Sequence, residues 1–293
     1  MRLTARVPAT SANLGPGFDC FGLALDLCNE ITVDTEAEPG VSWEGEGADE
    51  LPTDGSDLTS RAMRHVEALA ADTRTHPLPP LHFHGVNRIP LASGLGSSSA
   101  AAVAGVALAY TLLGLADGLH HPERTFSIAA EMEGHPDNAA AAVFGGFTIA
   151  LPDGSVRRLD PHPDLRPVAL IPEGVRVPTA EARRVLPAVV SLDDAAFNAG
   201  HAALTAQALT TDPDRLWASM RDRLHQDVRL ALVPAVREMF DRVREADIPV
   251  CVSGAGPTIL AFEPRDREIP DPGEGWRALR VPVRAVGVEV VEA

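Results

Sequence analysis

PLASGLGSSSA, residues Pro90 to Ala100, lies between a short apolar run, Leu81 to Val86, and an alanine-rich segment starting near Ser98. Its two glycines, Gly94 and Gly96, and three serines, Ser97 to Ser99, would join a strand to a helix there. Residues this small leave backbone N–H groups open. The positive end of the following helix adds to them, so the stretch reads as an anion site that a polyphosphate can approach closely. The same pattern also suits an ordinary strand-to-helix turn with serine caps. The chain has no lysine, all 25 of its basic residues being arginine, which excludes a G-x-x-x-x-G-K-[ST] loop. A dinucleotide fingerprint fits poorly, because GLGSSS lacks the third glycine of G-x-G-x-x-G and no acidic residue ends a second strand about 20 residues on.

Working outward, a strand is expected at Arg2 to Val7, an alternating segment at Glu30 to Thr35, and a surface connection from Ala37 to Asp57, which is rich in Glu, Asp, Gly and Pro. Helices follow at Leu58 to Ala71 and Ser98 to Leu113, the second stopped by Gly114. Another starts at Pro122 and stops at Gly134. Within HPDNAAAAVFGGF, the glycine pair and the apolar run Phe147 to Leu151 suggest a turn and a strand. Pro, Gly and charges cluster from Pro152 to Pro167, so the chain is divided into residues 1–160 and 161–293. The second part should hold helices at Ala180 to Leu186, Ala195 to Thr210, Pro213 to Leu232 and Pro234 to Ala246, with strands at Val168 to Ile171, Val250 to Ser253 and Thr258 to Glu263. Alanine-rich helices alternating with short apolar runs point to a mixed α+β protein, and 293 residues suffice for two domains.

A formal charge of −16 with no basic run disfavours duplex nucleic acid and anionic membrane surfaces as partners. An anionic ligand must therefore be held by backbone dipoles, a metal ion or a few placed arginines. Cys20, Cys28 and Cys251 have neither zinc spacing nor the look of a disulfide framework, and read as small buried hydrophobes in a reducing compartment. With no signal-peptide pattern and no apolar run of ~18 residues, a soluble, cytoplasmic protein is expected.

Three stretches, VPATSANLGPGFDCFGLAL, IPLASGLGSSSAAAV and VSGAGPTILAF, resemble the three motifs of the GHMP kinases, in order and spread from Val7 to Phe262. Within that family TSANLGPGFDCFG, EGHPDNAAAAVFGGF and TAEARRVLP resemble homoserine kinases. The resemblance implies a two-domain fold, a ribosomal protein S5 domain 2-like N-terminal part followed by a ferredoxin-like C-terminal part, with the site in the cleft between them. It also implies ATP-dependent phosphorylation of the L-homoserine hydroxyl, with ATP and Mg²⁺ as cofactors and a homodimer as the assembly. A kinase for another small alcohol, or a non-catalytic nucleotide sensor on the same fold, are the alternatives.

By the same resemblance, Pro90, Leu91, Ala92, Ser93, Gly94, Leu95, Gly96, Ser97, Ser98, Ser99 and Ala100 cradle the triphosphate. Mg²⁺ takes the charge-balancing part that a lysine plays in other loops. Its ligands would be Ser98 and, from the family pattern E-x-E-G, Glu131, with Glu133 as second choice. Arg183, with Arg184 as its neighbouring alternative, and Arg229 take the substrate carboxylate; arginine suits a carboxylate because its planar fork binds both oxygens. Asp19 takes the ammonium, and Asn13 and Asn138 add polar contacts. Asp137 and Asn138 are the catalytic candidates. Mevalonate kinase-like members end a P-S-G-x-D-N segment with an aspartate, and counting back from Gly145 and Gly146 puts Asn138 in its place. Homoserine kinases are read as lacking a dedicated base, which leaves proximity and charge stabilisation to drive the reaction. His135 reads as a loop-orienting group, and His82, His84, His120 and His121 are given no role. Ser253 to Pro257 reads as a tight turn beside the phosphate loop. One departure concerns adenine: where relatives often carry N-L ahead of the first long helix, this chain has Asp57 and Leu58.

Overall fold

The computed structural model describes residues 1–71, 77–115 and 122–292. The first half forms β1 (Arg2–Ala12), β2 (Phe21–Asp34), β3 (Gly40–Gly45), α1 (Leu58–Leu69), β4 (His82–Asn87), α2 (Ser97–Leu112), α3 (Pro122–Glu133), α4 (Asp137–Phe144), β5 (Phe147–Ala150) and β6 (Val156–Leu159). The second continues with β7 (Pro167–Pro172), α5 (Thr179–Arg184), α6 (Leu192–Thr210), α7 (Leu216–Ser219), α8 (Gln226–Leu230), α9 (Pro234–Glu245), β8 (Val250–Val252), β9 (Ile259–Phe262), β10 (Trp276–Arg280) and β11 (Glu289–Glu292). The mixed α+β expectation holds.

The strands form two sheets. One runs β11-β1-β2-β4-β3, with β5 on β2 and β6 on β5; the other runs β10-β7-β9-β8. On the first sheet Leu23, Leu25, Ile31 and Val33 of β2 are buried, each contributing roughly 1.5–3 kcal/mol by leaving water. The helix α2 is apolar all round and is buried along most of its length, packed by α1, α3, α4 and β1. Its Gly105 makes this possible, since a Cβ there would stand 2.3 Å from the Thr59 carbonyl oxygen of α1. Gly114 ends the helix at φ +60, as its left-handed tolerance predicts. In the second sheet's core, α9 buries Val236, Met239, Phe240 and Val243, the i, i+3, i+4, i+7 stripe of a helix lying on a sheet.

Beyond the unexpected short strands β6 and β10, four features depart from the sequence reading. Residues 37–57 are not all connection: β3 lies within them and pairs parallel to β4 as the sheet edge. DNAAAAVF, for which no helix was expected, forms α4. The single helix expected at Pro213 to Leu232 is broken, because Asp222 accepts from the backbone N–H groups of Leu224, His225 and Gln226. A carboxylate that captures three N–H groups caps a new helix start instead of continuing an old one. Finally, the division at 160/161 falls between strands of different sheets, yet the tail crosses back and β11 pairs antiparallel with β1. The Arg284 side chain anchors this return through Asp26 and Glu289. The three cysteines are free. Among the described residues no helix is long and apolar enough to cross a membrane.

Candidate active site

The phosphate loop is fixed by contacts that only glycine permits. Gly96, at φ +71, ends the loop as the cap of α2 and has no side chain to offer the helix's first N–H groups, which stay available to an anion. A Cβ on Gly96 would lie 2.0 Å from Thr10 Oγ1, and one on Gly94 would lie 2.3 Å from the Ser253 carbonyl oxygen. The loop is tied down on both sides. The Thr10 N–H donates to Leu95 O at 3.0 Å, the Thr258 N–H to Ser93 O at 3.0 Å, and Ser253 Oγ to Gly94 O at 2.7 Å. The Ser253 to Pro257 turn is thus the loop's second wall.

At the start of α2, Ser98 Oγ and Ser99 Oγ donate to the same oxygen, Glu133 Oε2, at 2.8 and 2.7 Å. Glu131 does not join them: two residues earlier it stands about 200° round the helix and is exposed. Of the two glutamates, Glu133 is the one that meets the loop serines. Among the described residues no group of three or more His, Cys, Asp or Glu side chains could hold a metal. One carboxylate and two hydroxyls form an oxygen-only set that fits a hard cation sharing its shell with phosphate and water.

The other end of the cleft is built from side chains. Asn13 and Asp19 both sit at positive φ, at the two ends of the turn that follows β1. Asn13 Oδ1 accepts the Asp19 N–H at 2.9 Å, and its Nδ2 donates to Gly254 O at 2.9 Å. Arg183, near the end of α5, grips Asp19 through Nη1 and Nη2 at 3.1 and 2.7 Å. That carboxylate raises the Arg183 pKa. Arg184 is exposed, so Arg183 is the member of the pair in the site. Arg229, on α8, is buried; its Nη1 donates to Gly254 O at 2.8 Å and to His225 Nδ1 at 3.0 Å. Burial, with the like charge of Arg183 behind it, lowers its pKa to about 10. Phe18 lies beneath both guanidinium groups, 5.9 and 5.4 Å from its ring centre.

Asp137 and Asn138 open α4 between the two ends. Asp137 is buried, and its Oδ1 accepts the Asn138 N–H at 2.7 Å and lies 3.3 Å from His135 Nδ1. That carboxylate raises the His135 pKa. Asn138 Oδ1 accepts from Thr10 Oγ1 at 2.8 Å, which links this pair to the glycine loop. Asn13, Asp19, Arg183, Arg229, His135, Asp137 and Asn138 line one cavity of about 350 Å³ together with Ser93, Gly94, Gly96, Ser97 and Ser98 of the loop. Its far wall is apolar, formed by Trp43, Leu51, Leu58 and Leu91. Asp57 borders it, capping α1 with one oxygen while Oδ2 is buried with no hydrogen-bond partner among the described residues.

Elsewhere, His82 contacts Glu38 O and His84 contacts Ser42; His120 and His121 lie outside the described residues. Sequence reading gave no role to Thr10 or His225, and took Gly254 only as part of the turn beside the phosphate loop. Thr10 and Gly254 stand inside quoted motifs, but nothing in RLHQDVRL marks His225 beyond its i, i+4 spacing to Arg229.

Comparison with known proteins agrees with this geometry. The GHMP kinases N terminal domain model matches residues 57–146 and the GHMP kinases C terminal model residues 201–269. A homoserine kinase of Rhodococcus erythropolis is 44% identical over 99% of this chain and 96% of its own length. One of Cutibacterium acnes is 44% identical over 89% of each. The crystal structure of homoserine kinase from Cytophaga hutchinsonii superimposes with a TM-score of 0.83 at 26% identity, covering 99% of this chain and 97% of that one. With both GHMP models matched and curated relatives this similar over nearly its whole length, the chain belongs to the homoserine kinase family of the GHMP kinases.

Proposed function

We propose that the chain transfers the γ-phosphoryl group of ATP to the side-chain hydroxyl of L-homoserine, giving O-phospho-L-homoserine on the route to threonine. The observation that carries this reading is that one cavity is lined both by the glycine-serine loop and by the Asp19, Arg183 and Arg229 cluster. The first suits a polyphosphate; the second offers a carboxylate and two guanidinium groups, the complement of an amino acid's ammonium and carboxylate. The apolar wall beside Asp57 receives the base. Family resemblance adds the expectation of a cytoplasmic homodimer.

Ser98 and Glu133 would hold Mg²⁺, which when bound supplies the positive charge that this lysine-free loop lacks. The backbone N–H groups at the start of α2 bind the triphosphate. Arg229 and Arg183 take the substrate carboxylate, and Asp19 and Asn13 orient its ammonium. Asn138, fixed by Thr10 and Asp137, aligns the hydroxyl. Its oxygen attacks the γ-phosphorus, the bond to the ADP oxygen breaks, and the hydroxyl proton leaves to a phosphate oxygen or water. Asp137 is already engaged by Asn138 and His135 and serves to hold this turn. Positioning and charge stabilisation suffice for a transition state whose charge spreads over the equatorial oxygens.

The test is turnover of Mg·ATP against L-homoserine, L-serine, L-threonine, mevalonate and galactose, with phosphorylated products identified by mass. L-homoserine should be preferred. Faster phosphorylation of another alcohol would reassign the substrate, and ATP binding without turnover on any of them would favour a sensor.

A further inference from the structure

His225 is fully buried, and the phosphoryl-transfer reading gives it no part. It immediately precedes α8, four residues before Arg229. One ring nitrogen, Nε2, lies 2.8 Å from the carbonyl oxygen of Gly15, and the other, Nδ1, lies 3.0 Å from Arg229 Nη1. A carbonyl can only accept and a guanidinium can only donate. Both contacts are therefore hydrogen bonds only if the ring is neutral, with its proton on Nε2 and its lone pair on Nδ1.

We propose that His225 is a positioning residue for the substrate-binding arginine, held as this tautomer between Gly15 and Arg229 so that it sets which edge of the guanidinium meets the substrate carboxylate. The proposal rests on the reading of Arg229 as a carboxylate anchor. With Nη1 occupied by His225 and Gly254, the edge left for a two-oxygen ligand is the one containing Nε, and Nε is buried without a protein partner among the described residues. At its other end the same imidazole holds the turn that carries the ammonium side of the site. Gly15 lies between Asn13 and Asp19, and at φ +79 it packs against Met220, where a Cβ would meet the carbonyl oxygen at 2.8 Å. Among the charged groups around the ring Asp222 has the strongest pull, and it favours a proton there, so the neutral state is owed to burial, which outweighs it. Asp222 Oδ2 is 3.8 Å from Nε2 but is shared among the N–H groups of His225 and Gln226, while its Oδ1 serves Asn198 and Leu224. Arg229 repels a proton on the ring, Asp19 attracts one more weakly, and Phe18 covers it at 5.3 Å. Burial dominates and pushes the pKa down to about 4.

Two replacements separate the bonds. His225→Gln can offer an N–H near the Nε2 position but no acceptor near Nδ1, whereas His225→Asn keeps an acceptor for Arg229 and loses the reach to Gly15. The Gln variant should raise the KM for L-homoserine about tenfold or more, as for a lost hydrogen bond to a charged group, with kcat and the KM for ATP within twofold. The Asn variant, which keeps the acceptor for Arg229 and loses only the bond to Gly15, should raise the KM for L-homoserine clearly less than the Gln variant does. Equal effects of the two variants, or a KM for ATP that moves with that for L-homoserine, would mean a merely structural histidine and overturn the proposal. Ring ¹⁵N spectra of the wild-type protein give an independent check that needs no variant to fold: the Nε2–H tautomer should persist from pH 8 to pH 5, and a ring protonated on Nδ1 or titrating near its ordinary value would overturn it. A wild type inactive on L-homoserine, or an Arg229→Ala variant with an unchanged KM for it, overturns the carboxylate reading itself; a working clamp with indistinguishable His225 variants overturns only the role of His225.

Discussion

The two ends of the cleft handle charge by different means. At the phosphate end no side-chain cation takes part in the loop: backbone N–H groups at the start of α2 have no side-chain cap, and Gly94 and Gly96, at positive φ, let the Ser253 carbonyl and Thr10 come within contact distance. At the amino-acid end the charges are on side chains, Asp19, Arg183 and Arg229, each held by a partner distant in sequence. A backbone site needs little more than the correct local path. A side-chain site needs several elements to converge, and it pays in desolvation, visible in the lowered pKa of Arg229. The first should fail by distortion and the second by loss of a single group.

Arg229→Ala tests the second kind of failure and should have the largest effect. Truncating one member of a buried, hydrogen-bonded charge pair costs about 2–5 kcal/mol, so kcat/KM for L-homoserine should fall about 10³-fold, with the KM for ATP little changed. Steady-state kinetics with each substrate varied separately decides it. A parallel loss for ATP would show that the two ends are not separable.

Gly96→Ala tests the first kind. The new Cβ would overlap Thr10 Oγ1 in a backbone conformation that disfavours a side chain, and Thr10 is also the partner of Asn138. A displacement of the loop by about 1 Å corresponds to roughly 10²-fold in rate, expressed in kcat and in the KM for ATP, with the KM for L-homoserine held. Normal ATP kinetics in this variant would break the contrast, because the loop would then tolerate distortion.

The same contrast explains what the sequence disclosed. The phosphate end is contiguous, and GLGSSS between an apolar run and an alanine-rich helix was legible from residue size and order alone. The amino-acid end draws on residues 13, 19, 183, 225, 229 and 254, so its charged members were named only through family resemblance, and His225, which belongs to no motif, was not named at all. Helix 213–232 was misread for a related reason: propensity is local, while Asp222 takes its N–H partners only because Asn198 of α6 and the Gly15 turn hold that corner. The tail strand β11 was missed because a four-residue edge strand with one partly buried position carries almost no period-two signal.

The smallest effect lies at the junction of backbone and side-chain chemistry, where the family pattern favours Glu131 with Glu133 second, and only Glu133 meets the loop serines. Both sit on α3, and E-x-E-G does not say which faces the loop; helical geometry does, because Ser98 and Ser99 emerge from the first turn of α2 and meet Glu133 alone. Glu133→Gln keeps the side chain's size and removes its charge, so it should lower kcat about tenfold and raise the Mg²⁺ concentration needed for half-maximal rate, as for weakened metal ligation. Glu131→Gln, an exposed change on the same helix, should stay within twofold of wild type in a magnesium titration at saturating ATP. A reversed order would mean that α3 turns its other face to the nucleotide when Mg·ATP binds, and the phosphate end could then no longer be regarded as fixed by its backbone in advance.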